Sequence, residues 1–215
     1  MNQSTANSDH QVGSVATVHR LLRTAIATTV LIAASCGAAA GDGRFEGLEV
    51  DPIDMPPLTL TDTSGAPYDL SRDSEGSVKL VYFGYTSCPD ICPIHLSQLS
   101  AVLDRAGTPS NVEVVFVTTD PSRDTPQRIR EYLDAYSHSF VGLTGSEEEL
   151  IAAQQAFGAI VAVRKSDAEN YTMGHDGRVF AFTPEGIGYT QYPHPTRQSS
   201  WLHDLPILAG SVGTR

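Results

Sequence analysis

The 215-residue chain is short of positive charge, of cysteine and of long apolar runs. Only 14 Lys and Arg stand against 25 Asp and Glu, giving a net charge of −11. Such a surface repels phosphates, which excludes nucleic acid as a partner. Three cysteines, an odd number, exclude a small disulfide-built scaffold. Internal repeats and low-complexity tracts are absent, so a solenoid is excluded. The longest uncharged stretch, residues 24–41, is rich in Thr, Ala and Gly. That is poor material for a membrane span, which needs ~20 mostly apolar residues. What is present, 40% hydrophobic and 18% charged residues, suffices for one full core with appendages.

The N-terminal 35 residues read as an export signal. Arg20 and Arg23 precede a short apolar run, and small residues lead into Cys36. The ending Ile32-Ala33-Ala34-Ser35-Cys36 resembles a bacterial lipobox, which predicts lipidation of Cys36 and a cell-membrane location facing the extracytoplasmic side. An uncleaved anchor or plain secretion are the alternatives. Residues 36–57 mix Gly, Ala, Asp, Glu and Pro without periodicity and are expected to be a flexible tether. The folded domain is expected over residues 58–213, as a monomer.

The domain is organised around Leu80–Pro93, LVYFGYTSCPDICP. An apolar run stopping at Gly84 predicts a buried central strand over 79–85. Leu96, Leu99 and Leu103 follow at helical spacing, which predicts a helix over about 93–105 with Pro93 in its first turn. Cys88 and Cys92 then fall on the strand-to-helix loop, where the free N–H groups of a helix start favour thiolate. Three residues separate the two sulfurs, so both can face one small soft ion or form one redox pair.

The rest of the chain gives an α/β order. Leu58–Leu60 and Tyr68–Leu70 flank a turn at Asp62-Thr63-Ser64-Gly65 and predict a hairpin. Val112–Thr118 predicts a second buried strand, followed by a helix capped by Thr125 with Pro126 at its first position. Ser146-Glu147-Glu148-Glu149 is a capping box for a third helix stopped by Gly158. Short strands at Ile160–Val163 and Val179–Phe182, and a last helix from Thr196 to Leu205 ended by Pro206, complete a mixed sheet flanked by helices. Right-handed crossover puts the ends of the two central strands on one sheet edge, together with Cys88 and Asp120.

A third ligand is not fixed by the residues themselves. His95 shares a helical spacing with both cysteines, but Pro93 places them ahead of the regular helix, so His95 is expected on a solvated face. His175 lies in a Gly-flanked loop between strands and can be aimed at the sheet edge. His138, His194 and His203 read as surface or turn residues, and Asp120 before Pro121 as a turn residue or a group that orients a ligand.

The segments Tyr82–Pro93, Asp120-Pro121-Ser122-Arg123-Asp124-Thr125-Pro126, Gly142–Ser146 and Tyr171–His175 together resemble the Sco/SenC family of thioredoxin-like copper proteins. The resemblance implies a thioredoxin-like fold with an extra N-terminal hairpin and copper, as Cu(I), held by Cys88, Cys92 and His175. It implies a metallochaperone whose acceptor is the copper-site subunit of a respiratory oxidase. It also flags Asp176, where the family usually has serine, as a residue that would alter metal affinity. A thiol–disulfide oxidoreductase and a Cys88 peroxidase are the enzymatic rivals.

Overall fold

The computed structural model describes residues 44–73, 75–166 and 169–210. The expected export signal and Cys36, the expected lipidation site, lie outside them. Among the described residues, four helices and ten strands follow in the order β1 (Leu48–Asp54), β2 (Thr59–Asp62), β3 (Pro67–Asp69), β4 (Val78–Gly84), α1 (Ile91–Leu103), β5 (Val112–Thr118), α2 (Pro126–Asp134), β6 (Val141–Thr144), α3 (Glu147–Ala156), β7 (Val163–Arg164), β8 (Met173–Gly174), β9 (Val179–Phe182), β10 (Ile187–Tyr192) and α4 (Gln198–Ala209).

Eight strands form one mixed sheet, ordered β1-β10-β9-β4-β5-β6-β2-β3. The pair β4–β5 is parallel over seven positions, from Val78 opposite Val112 to Gly84 opposite Thr118, and β9 runs antiparallel on the other side of β4. Alternation divides the two faces. Val78, Leu80 and Tyr82 of β4 pack with Val114 and Phe116 of β5 beneath α1, α2 and α4. Val81 and Phe83 pack with Val115 and Val117 beneath Leu150, Ala153 and Phe157 of α3. Because both faces are covered, β4 is buried at every position, Lys79 included, and Leu80–Phe83 read as a continuous apolar run.

Local chemistry sets the element ends. The Thr125 side chain accepts the Arg128 N–H ahead of Pro126, and Ser146 and Glu149 close a reciprocal capping box. Helix α1 begins at Ile91, two residues earlier than expected, so Cys92 lies inside its first turn. Helix α4 continues through Pro206, because Leu205 and Leu208 on either side are both fully buried against the core.

Folded structure occupies part of the segment where the composition suggests a tether. Residues 48–54 form β1, which pairs antiparallel with β10, and Phe45 and Met55 are buried. Asp204, fully buried, accepts the Glu46 and Gly47 amides, the Tyr192 hydroxyl and a His203 ring nitrogen. Folded structure therefore starts by Arg44, not at residue 58. The expected strand Ile160–Val163 is also shifted: only Val163–Arg164 pairs, with Met173–Gly174, in a separate two-stranded sheet.

Candidate metal centre

Gly84 ends β4 because the turn needs its missing side chain. A Cβ there would stand 2.8 Å from the Cys92 sulfur and 2.8 Å from the Phe116 ring. The loop after it is pinned to the end of β5 by Asp124, which accepts the Thr86 amide and the hydroxyls of Thr86 and Thr118. Arg128 adds bonds to Thr86 Oγ1 and Ser87 Oγ. Cys88 is left half-buried at the rim, while Cys92 is fully buried.

The third group arrives directly after β8. His175 Nε2 lies 3.8 Å from Cys88 Sγ and 3.5 Å from Cys92 Sγ, and the three atoms lie within 4.8 Å of one another. His175 Nδ1 is 2.8 Å from the Asp176 carbonyl oxygen, which only accepts. The proton therefore sits on Nδ1, and the Nε2 lone pair faces the sulfurs. Tyr82 and Tyr85 pack edge-on against this imidazole, with centroids 6.1 and 5.6 Å away, and wall off water on two sides. The loop behind it is held by Asp176, which accepts the amides of Ile160 and Arg178 and pairs with the Arg178 guanidinium.

The two thiols are driven apart electrostatically. The hydrogen bond from Cys92, with those from the Asp90 and Cys92 amides, pulls Cys88 well below the ordinary thiol value against the effect of burial. Burial pushes Cys92 the other way, well above the ordinary thiol value, and the neighbouring Cys88 charge adds to that. The Tyr82 hydroxyl donates to Cys92 Sγ at 3.4 Å.

Two sulfurs and one imidazole nitrogen form a soft donor set. Metal–sulfur bonds of about 2.3 Å and a metal–nitrogen bond of about 2.0 Å, spread in a plane, require sulfur-to-nitrogen separations of about 3.7 Å. The observed 3.5 and 3.8 Å match that without rearrangement. Among the described residues no carboxylate joins the cluster. Asp120 is occupied elsewhere, accepting from Arg123 Nε and the Tyr171 hydroxyl. Its link to the centre is indirect: the Arg123 guanidinium lies over the Tyr85 ring, which packs on His175.

His95 departs from its expected place. It is fully buried, not solvated, and its ring stacks on Tyr82 at 5.2 Å. With α1 starting at Ile91, positions 92, 95, 96, 99 and 102 make one inward stripe, so Pro93 does not turn His95 outward. His138 is exposed and pairs with Asp134, whereas His194 is half-buried against His95. Composition gives no signal for the Tyr82 hydroxyl bond or the Asp124 clamp. The second is prefigured only by the short polar segment after β5.

A parallel β4–β5 pair with a dithiol at the start of α1, and a histidine brought in from the loop after a later strand, defines a thioredoxin-like metal-binding protein. The SCO1/SenC family model matches residues 51–209, and the chain belongs to that family. Among curated relatives it is 34% identical over 137 residues to Protein SenC of Rhodobacter capsulatus, covering 63% of this chain and 61% of that one. The chain spans 40 to 65% of the length of the first curated relatives it matches. The solution structure of apo Sco1 from Thermus thermophilus is similar with a TM-score of 0.68 and 30% identity, covering 76% of this chain and 96% of that one. Copper-bound ScoI of Bradyrhizobium japonicum has a TM-score of 0.64 at 27% identity, with 73% and 99% covered.

Proposed function

We propose that this protein is a copper metallochaperone: reduced Cys88 and Cys92 with His175 hold Cu(I) as cargo and pass it to a copper centre of cytochrome c oxidase. The observation that carries the reading is the convergence of three soft donors at bonding separations, with the imidazole lone pair already aimed at the sulfurs. Zn(II) favours a fourth protein ligand, and the set offers three. Membership of a family with copper-bound relatives supports the choice of metal. Half-exposed Cys88 gives an incoming thiolate a point of attack, so ligands can be exchanged one at a time at the sheet edge. Oxidation to a Cys88–Cys92 disulfide removes two donors and gates the cargo by redox state. A lipid on Cys36 would hold the domain at the extracytoplasmic membrane face; among the described residues no helix is long and apolar enough to cross a membrane.

A second reading has its own observation. A half-exposed, low-pKa Cys88 beside a buried, high-pKa Cys92 is the asymmetry of a thiol–disulfide oxidoreductase, with attack by the outer sulfur and resolution by the inner one. Only the chaperone needs His175. His175→Ala should weaken Cu(I) binding by about 100-fold or more, measured by chelator competition, and leave reduction of a disulfide substrate within a few-fold. Unchanged Cu(I) affinity would remove the chaperone mechanism.

A further inference from the structure

A second cluster of metal-binding side chains lies one residue layer from the first. His95 is fully buried, and neither of its ring nitrogens has a hydrogen-bond partner in the protein. His194, half-buried, has an unpartnered buried Nδ1, and its ring centre lies 5.2 Å from that of His95. Buried polar atoms are almost always satisfied, so two neighbouring imidazoles with three idle nitrogens call for a partner. Two metal–nitrogen bonds of about 2.0 Å put imidazole centres about 6 Å apart when collinear and about 5 Å apart when bent at a tetrahedral angle, so 5.2 Å fits a bent pair completed by solvent.

The surroundings tie this pair to the cysteine centre. His95 stacks on Tyr82, whose hydroxyl reaches Cys92. A side chain on Gly177, two residues after His175, would touch Ile91 at 3.1 Å and come within 3.9 Å of His194. His194 is the outer of the two histidines, and His95 the inner.

We propose that His95 and His194 form a second, weaker site for a soft monovalent cation beside the Cys88–Cys92–His175 centre, loaded from solvent through His194. Two nitrogens without sulfur bind such an ion less tightly than two sulfurs and a nitrogen, so this site fills second. That the ion is Cu(I) rests on the chaperone reading. The pair itself does not.

The test uses the reduced full chain with 15N-labelled histidine and Ag(I), a closed-shell monovalent probe, followed by long-range imidazole 1H–15N correlation. Single His→Ala variants assign the ring signals of the seven histidines. The first equivalent should move His175 Nε2, and the second one ring nitrogen each of His95 and His194. In Cys88→Ser/Cys92→Ser, the His95 and His194 signals should move with the first equivalent. In His194→Ala, the His95 response should vanish while that of His175 persists, which also shows the fold intact. A His95 ring silent through three equivalents, or a His95 shift that survives His194→Ala, overturns the second site. A silent His175 with responsive His95 and His194 would instead overturn the first centre and leave this one standing.

Discussion

Replacing Asp176 by asparagine keeps the volume of a side chain that is 2% exposed and removes its charge. The carboxylate receives the Ile160 amide at 2.9 Å, the Arg178 amide at 2.9 Å and the Arg178 guanidinium through both oxygens. An amide offers one oxygen and turns two N–H groups toward donors. Breaking a buried pair costs about 3–5 kcal/mol, and the lower end applies because water can reach the freed guanidinium, so about 3 kcal/mol is expected. The Arg178 side chain is 28% exposed, which is why the discount is needed. For a domain of this size that lowers Tm by about 6–12 °C. Burial raises the Asp176 pKa, but the Arg178 guanidinium with the Ile160 and Arg178 amides more than offsets it, and the net shift is downward. A lowered carboxyl pKa stabilises the folded state at and above the ordinary carboxylate value of about 3.9, and that stabilisation is lost as pH falls through the folded value. The gap between wild type and Asp176→Asn should therefore be full near neutrality and close in acid. Cu(I) affinity should fall by less than about tenfold, because the backbone carbonyl that fixes His175 Nδ1 stays in place. Thermal unfolding of the reduced apoprotein by circular dichroism reads this directly. A neutral-pH Tm within 1 °C of wild type, or a gap that widens in acid, would refute the reasoning.

Three further outcomes follow from the same geometry. Tyr82→Phe removes the donor to Cys92 Sγ and should weaken Cu(I) binding by about fivefold, equivalent to one net hydrogen bond of about 1 kcal/mol; an unchanged competition curve would show that the bond carries nothing. Gly84→Ala puts a Cβ against the Cys92 sulfur and the Phe116 ring, so both Tm and Cu(I) affinity should fall together. Alkylation of the reduced protein should occur at Cys88 far faster than at Cys92, at a rate nearly flat between about pH 5 and 8, whereas a rate rising tenfold per pH unit would place the Cys88 thiol near the ordinary 8.5.

How much of this was legible from residues depends on where each signal is stored. Strand β4 and helix α1 announce themselves, because a strand buried on both faces carries a dense apolar run, here Leu80–Phe83, and the helix after it repeats leucine at its own period. The dithiol is equally open, since both cysteines sit in a single short loop. Strand β1 is hidden: Leu48-Glu49-Val50-Asp51-Pro52-Ile53-Asp54 carries acids and a proline because it is an exposed edge with a shift in register. Pro206 misleads for the opposite reason, as core contacts on both sides outweigh the local preference of proline to end a helix. His175 can be picked out by its loop but not fixed by it, because what makes it a donor is a contact across 83 residues to Cys92. The burial of His95 depends on where α1 begins, and two residues of error at a helix start turn its side chain from one face to another.

X-ray absorption at the copper edge on the reduced protein carrying one equivalent of Cu(I) addresses the donor set itself. The account predicts two sulfur scatterers and one imidazole nitrogen around copper in wild type, with the nitrogen lost in His175→Ala. A wild-type spectrum with two sulfurs and no imidazole would contradict it and leave a dithiol protein that binds copper without His175.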